Sequence, residues 1–480
     1  MIRNVISIMC DEMSGNLIHA LANKDALTPN LDYLVKNGTT FTNAYTTCPV
    51  CVPARASWFT GQYVNRLGTW DNSTPYDGTV LGIAEHLKSY GIPFYQIGKT
   101  HFHHEGVYHF AGSSELGLLK VPDVGCYYRD DHVERIGAER RFKEIGISDG
   151  TPRFDDKVLN ASLNWLDNSS SIKKPWVLNI GFTEPHFPFF VRQENWDYFD
   201  TYFKDIPLPN EVLSPYTSLN PALLELRNYF KGYLADEETI RNIRTGYYAS
   251  VFELDEKIGL ILEKMKSLGL DKDTAVIFTS DHGEQLGYHG LWWKCCMFEQ
   301  SARIPFILQL PQSEGKLITD PISLTDYFPT ICELMNIPIP ENLDGESLVN
   351  YCNNPNFKIN RDYAFSEFNA HGISGGMYMI RWKNYKYIFY TQTEPQLFDL
   401  DKDSLENHDL YKSFSSSEAG KNIIYECHKR LLEVCDPYEV TIRSKKYQAK
   451  MKKLLSLPEK YTIERGGNFV PHPEYYQRTK

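Results

Sequence analysis

The sequence predicts an α/β fold organised on one large sheet, and three observations carry that prediction. Short apolar strands alternate with helical periods along most of the 480 residues. Ionisable residues recur just past the carboxyl ends of those strands, the edge at which ligand sites collect in α/β sheets. Beyond about residue 370 the pattern changes to a hairpin-like alternation and a helix. The chain therefore divides into a main domain, residues 1–370, and a smaller α+β subdomain, residues 371–480. Its 42% hydrophobic residues are enough for a sizeable core.

The elements follow in order. Residues 5–10 form a buried strand that delivers Asp11, with Glu12 beside it; read alone, Asp11 fits a helix cap as well as a ligand. Thr28 as N-cap, Pro29 in the first turn and Gly38 as stop predict a helix between them. Residues 39–45 read as one strand leading toward Cys51. Residues 78–90 are helical, and the strand 94–97 delivers Gly98-Lys99-Thr100-His101. A lysine and a histidine two apart at a strand end can point to one side. His103, His104 and His109 follow without a motif.

Residues 112–175 are weakly patterned, an insertion that shapes a pocket mouth, with a helix at 155–166. The strand 176–182 is stopped by Pro185 and Pro188, which hold His186 between them. An aromatic, proline-rich loop with short helices over 190–235 precedes a sustained helical period over 236–268. Residues 275–279 form a strand ending in Ser280-Asp281-His282-Gly283-Glu284, with Lys294 about a dozen positions on. Residues 304–310 are a further strand. Residues 377–381 and 385–390 form a hairpin around Lys383-Asn384, and a helix covers 420–435. The polar, aromatic tail from Pro458 suits packing on a partner subunit in a homo-oligomer.

A formal charge of −11 argues against nucleic acid or an anionic membrane surface as the main partner. An anionic substrate then needs a local cluster of basic groups. No apolar run reaches about 18 residues, so no membrane span is expected. Residues 1–10 read as a strand rather than a signal peptide. Ten cysteines without an export signal suggest reduced thiols in a cytoplasm.

The chemistry concentrates in Cys51-Val52-Pro53-Ala54-Arg55, followed by Thr60-Gly61. Pro53 suits a first helical turn. Cys51 then stands at a helix start, where unpaired N–H groups and the dipole favour an anion. Arg55, one turn on, can lie back toward it. Three other readings compete for this cysteine. Cys48-Pro49-Val50-Cys51 is a C-x-x-C pair, but the short thioredoxin-sized βαβ context is absent. A zinc knuckle needs a second spaced pair, and Cys295-Cys296 are adjacent. A buried structural thiol is the third.

Cys-x-Pro-x-Arg with Thr-Gly downstream resembles the signature of type I sulfatases and of their phosphonate monoester hydrolase relatives. In that family the cysteine is oxidised to formylglycine. The match extends through Thr28-Pro29-Asn30-Leu31-Asp32, Gly98-Lys99-Thr100-His101, Pro185-His186-Phe187-Pro188, Ser280-Asp281-His282-Gly283 and residues 324–330, in the family's order and over most of residues 1–410. The resemblance implies the alkaline-phosphatase-like fold, a large mixed sheet flanked by helices. It also implies hydrolysis of a small-molecule or carbohydrate sulfate ester to an alcohol and inorganic sulfate.

Roles follow from the same resemblance. Asp11, Asp281, His282 and residue 51 hold a divalent cation, most often calcium, with manganese or magnesium also suited to such a set. The hydrate of formylglycine 51 is the nucleophile, ionised with the help of Arg55 and the cation. Lys99 and Lys294 hold the sulfuryl oxygens. His186 or Lys294 protonates the leaving oxygen, and His101 takes the proton whose loss expels sulfate. A formylglycine-generating enzyme is then a partner during maturation.

Departures from the family pattern keep alternatives open. Many sulfatases have a second aspartate where Glu12 stands, so its part in the metal site is left open, as are roles for Asn72 and His289. Position 282 is commonly asparagine in sulfatases. Its histidine is shared with phosphonate monoester hydrolases, the alternative reaction with the same nucleophile. A non-catalytic anion-binding member whose Cys51 stays a thiol is the other alternative. Gly68-Thr69-Trp70-Asp71-Asn72 looks like the choline-sulfatase branch, and sulfated sugars remain equally open.

Overall fold

The computed structural model describes residues 2–103, 110–113, 123–129, 134–135, 137–213, 219–354 and 356–457. His104, His109, much of the insertion over 112–136 and the tail from Pro458 lie outside the described residues.

Eight strands make the large sheet: β1 (Asn4–Asp11), β2 (Thr39–Phe41), β3 (Phe94–Gly98), β4 (Gly112–Ser113), β5 (Val177–Pro185), β6 (Thr274–Ser280), β7 (Phe306–Gln309) and β8 (Lys316–Ile318). Their spatial order is β8-β2-β7-β6-β1-β5-β3-β4. Only β7 runs against the others, so the sheet is mixed with a parallel centre. β1 lies in the middle, with Val5 opposite Val177 on one side and Ala275 on the other. All eight of its residues are buried, which is why it reads as a near-continuous apolar run rather than an alternation.

Helices flank the sheet. They include α1 (Pro29–Asn37), α2 (Cys51–Thr60), α3 (Phe154–Asn168) and the 31-residue α4 (Glu237–Ser267). Helix α4 buries Ile243, Tyr247, Leu254, Ile258 and Ile261 along one stripe, the 3.6-residue period of its sequence. The C-terminal region forms a separate antiparallel sheet: β9 (Tyr363–Phe368), β10 (Met377–Trp382), β11 (Tyr385–Tyr390) and β12 (Gln396–Asp399). Helix α5 (Glu418–Val434) packs on it and α6 (Pro437–Leu454) follows. The Glu367 N–H donates to the Thr47 carbonyl at 2.9 Å, which ties this sheet to the segment leading into α2.

Several boundaries differ from the sequence reading. Residues 39–45 divide between two sheets, Ala44–Tyr45 pairing with Arg303–Ile304 rather than continuing β2. Residues 304–310 divide at the same place, because Pro305 cannot donate to a ladder. The helix read over 78–90 is confined to Ile83–Ser89, where Gly82 is the N-cap. Pro185 does not stop its strand. β3 has ended at Gly98 opposite Gly181, so β5 is an edge strand by Pro185, and the missing N–H costs no ladder bond there. Thr28 makes no side-chain cap on α1; the Asp255 carboxylate of α4 accepts from the Asn30 and Leu31 N–H groups at 3.0 and 2.8 Å instead.

Candidate active site

The chemical groups arrive from the carboxyl ends of neighbouring strands and from one helix start. β1 ends on Asp11, and β6 hands on Asp281 and His282. β5 ends just before His186, and β3 just before Lys99 and His101. Gly98 has φ +84, and a Cβ there would run into the Gly181 carbonyl. Glycine thus lets two strand ends approach until the Lys99 N–H donates to that same carbonyl at 2.8 Å. Helix α2 starts at Cys51, and its N-cap, Val50, has no side-chain acceptor. Asn72 supplies one, its Oδ1 accepting from the Val52 N–H at 3.1 Å.

Around Cys51 the groups converge. Its Sγ lies 3.2 Å from His282 Nε2, 3.2 Å from Lys294 Nζ and 3.7 Å from Asp11 Oδ1. Arg55 donates to Asp281 Oδ2 at 2.7 Å and Asp11 Oδ2 at 3.2 Å, and to the Lys99 and Cys10 carbonyls. Lys99 Nζ pairs with Asp11 Oδ2. Glu12 Oε2 receives Lys294 Nζ at 3.3 Å and His186 Nε2 at 3.2 Å. Asp11, Cys51, Arg55, Lys99, His186, Asp281, His282 and Lys294 are therefore one cluster, and Glu12 joins it through its carboxylate.

The remaining candidates fall differently. His101 is half-buried with φ +57, and its Nδ1 has no partner among the described residues. It feels the charges of Lys99, Asp11 and Arg55 without a hydrogen bond to Cys51. Asn72 acts on the backbone of α2. His289 belongs elsewhere: its Nε2 bonds the Leu405 carbonyl at 2.8 Å and its ring packs on Phe298 at 4.4 Å. His103 is buried, with its backbone N–H bonded to the Tyr76 carbonyl. Sequence reasoning passed over Glu284, although it ends the Ser-Asp-His-Gly-Glu run. Its carboxyl meets that of Glu12, and burial together with that neighbour raises it well above the ordinary range. Two buried carboxyls in contact share a proton rather than ionise together.

Electrostatics divide the cluster into charged and neutral members. Burial opposes ionisation of Asp11, but Lys99 and Arg55 overcome it and hold the carboxyl well below its usual range. Burial also opposes the charge on Lys294, yet the carboxyls of Glu12 and Asp11 keep it protonated. Burial and the nearby cations keep His186 and His101 neutral, and burial lowers His282 too. The Cys51 thiol is pushed up to about 12 by burial and Asp11. As a thiol it is protonated and unreactive at neutral pH.

The donor set fits a hard divalent cation. Asp11, Asp281, His282 and residue 51 each turn one ligand atom to a common point, all within 4.8 Å of one another. His282 Nε2 stands 3.7 Å from Asp11 Oδ1 and 3.6 Å from Asp281 Oδ1, too far for hydrogen bonds but apt for ligands sharing one ion. Among the described residues no helix is long and apolar enough to cross a membrane.

Comparison with known proteins gives this arrangement its context. A family model described as Sulfatase matches residues 3–337, and one described as N-sulphoglucosamine sulphohydrolase, C-terminal, matches residues 287–436. The chain is 30% identical over 427 residues to the choline-sulfatase of Rhizobium meliloti (strain 1021), covering 84% of this chain and 81% of that protein. Among solved structures it resembles the phosphonate monoester hydrolase of Agrobacterium radiobacter, with TM-score 0.72, 22% identity and coverage of 90% of this chain and 95% of that one. It also resembles a protein solved with its substrate D-glucosamine-2-N,6-O-disulfate, with TM-score 0.70, 20% identity and coverage of 94% and 99%. The likeness to both structures is one of fold, the alkaline-phosphatase-like arrangement in which a mixed sheet carries its site at the strand ends. The family match spans every residue that builds the cluster around Cys51, and by it the chain belongs to the sulfatase family, hydrolases of sulfuric esters.

Proposed function

We propose that the enzyme cleaves its sulfate ester with a formylglycine hydrate derived from Cys51, the product of a formylglycine-generating enzyme. The observation that carries this reading is the setting of the Cys51 side chain, with His282 Nε2 and Lys294 Nζ each 3.2 Å away and the Asp11–Arg55–Asp281 network behind it. A thiol is inert in that setting, whereas an ionisable hydroxyl is stabilised by the same cations. A divalent ion held by Asp11, Asp281, His282 and residue 51, calcium by preference, would add positive charge against the sulfuryl group.

The chain's own groups then divide the work. Lys99 and Lys294 offer ammonium groups to the sulfuryl oxygens as charge develops. One hydroxyl oxygen of residue 51 bonds to sulfur while the S–O bond to the alcohol breaks. Lys294, kept protonated by the cluster, gives the departing oxygen its proton, with the neutral His186 held beside it by Glu12. His101 accepts the proton of the second hydroxyl, the aldehyde C=O re-forms, and the bond from that carbon to the sulfated oxygen breaks to release sulfate. Water restores the hydrate.

The phosphonate monoester reading is the second one, favoured by His282, and it uses the same nucleophile. Side-by-side kcat/KM values for an aryl sulfate and an aryl phosphonate monoester, on protein co-expressed with the generating enzyme, separate the two. Preference for sulfate that Cys51→Ala abolishes supports the first reading, and preference for the phosphonate reverses the order. The same reading puts the protein in a reducing cytoplasm, supported by ten free cysteines. Thiol titration of the denatured protein should find one thiol fewer once Cys51 is converted.

A further inference from the structure

A cationic cluster lies behind Phe187 and takes no part in the chemistry above. Arg141 ends the short helix Ala138–Arg141. Its guanidinium carbon sits 4.3 Å from the Phe187 ring centroid, with the rings of Phe230 and Trp293 at 5.6 and 5.7 Å. Three aromatic faces hold the cation in place. Among the described residues no hydrogen bond or ion pair to it is found, and the side chain is only half-buried. The same Phe187 ring stacks on His186 at 4.2 Å and approaches Lys294 Nζ at 5.7 Å. One phenyl ring therefore separates Arg141 from the groups that meet the sulfate ester.

Two neighbours complete the set. His371 packs on Phe230 at 6.0 Å and is 3% exposed. Its Nε2 faces Cys295 Sγ at 3.6 Å, and burial keeps that thiol protonated. His371 Nδ1 is buried without a partner among the described residues, and in the tautomer whose Nε2 accepts from the thiol it is a free donor. Arg135 pairs with Asp123 at 2.6 Å, which commits that carboxylate. Burial and Arg135 lower Arg141 to about 10, and the charges of Asp123 and Glu12 offset this only in part.

We propose that Arg141, with His371 and Arg135, forms a subsite for a second anionic group on the substrate, a carboxylate or another sulfate. The preferred substrates are then dianionic sulfated sugars rather than neutral or cationic esters. This inference rests on the sulfatase reading. It runs against choline sulfate, whose quaternary ammonium would face two guanidinium groups. A bound anion gives Arg141 the charge-assisted hydrogen bonds that its aromatic walls cannot, and those walls keep water from weakening them.

The test compares kcat/KM for glucuronate monosulfates with matching glucose monosulfates, the sulfate placed at each ring position in turn, on wild type, Arg141→Ala and Arg141→Lys. Wild type should favour glucuronate esters at least about tenfold, the scale of one hydrogen bond to a charged group. Arg141→Ala should bring the ratio toward one, mainly through KM, and Arg141→Lys should keep part of it. Reading the ratio cancels losses common to both substrates, including incomplete folding or conversion. Equal rates on the matched pairs, or a preference that survives Arg141→Ala, overturns the subsite and leaves the sulfatase reading standing. A converted wild type that hydrolyses no sulfate ester overturns the sulfatase reading instead. Calorimetry with 4-sulfobenzoate against 4-methylbenzenesulfonate then decides the subsite, which requires tighter binding of the dianion and its loss in Arg141→Ala.

Discussion

Arg55 and Asp281 form an ion pair, Nε to Oδ2 at 2.7 Å, in which neither side chain is more than 1% exposed. The same guanidinium reaches Asp11, so one cation sits between the two carboxylates of the candidate metal site. Removing it strips Asp281 of its ion-pair partner and leaves Asp11 with Lys99 alone, a loss of about 3–5 kcal/mol. Arg55→Ala should therefore unfold at markedly lower denaturant concentration than wild type. A midpoint within error of wild type would mean that the carboxylates are neutralised by other groups.

Ligand binding to the acidic set should appear as stability. A ligand at about a hundredfold over its Kd adds about 2.7 kcal/mol to the folded state. Calcium, manganese and magnesium titrations followed by thermal unfolding should raise Tm in wild type and not in Asp281→Asn. Chelation should abolish turnover, and returning the preferred ion should restore it.

Asn72 tests how α2 is held. Its amide oxygen is a helix cap delivered from another part of the chain, and losing a cap costs about 1 kcal/mol. Asn72→Ala should lose about that much stability while lowering kcat more than the stability change accounts for, because Cys51 stands one residue before the capped N–H.

Glu367 gives stability a pH dependence. Burial raises its carboxyl from 4.5 to about 8, against the help of the Asn65 N–H and Arg443. The folded state thus holds the proton more tightly than the unfolded chain does. Its contribution is greatest below about 4.5 and is lost as pH rises through about 8. The slope is at most about 1.4 kcal/mol per pH unit for one proton. Glu367→Gln should flatten the decline of unfolding free energy across that window; an unchanged profile would assign the decline to other groups.

The sequence made the core of the site legible because each piece sits beside an unambiguous strand. Asp11 closes β1, Lys99 and Asp281 follow β3 and β6 directly, and strand order along the chain needs no tertiary information. What escaped depends on contacts between distant segments. Asn72 capping Val52, and Asp255 capping α1, leave no local pattern. Pro185 misled because a proline excludes a central strand but not an edge, and only β3 ending at Gly98 makes β5 an edge there. His289 shares its neighbourhood in sequence with Lys294, yet φ +55 at that residue turns its ring toward Leu405. Arg141 lies in a stretch with no periodic pattern, where one more arginine carries no signal until its rings are seen.

Residue 51 is 1% exposed, and all ten residues of its helix are buried. No second enzyme can reach that side chain once the chain has folded. On the proposed conversion of Cys51, folding and oxidation therefore compete for the same nascent polypeptide, and the loser gets no second chance without unfolding. A molecule that folds first is then locked as a thiol. Two preparations can then melt alike and differ many-fold in specific activity, because the fraction of working enzyme is decided by a race during synthesis.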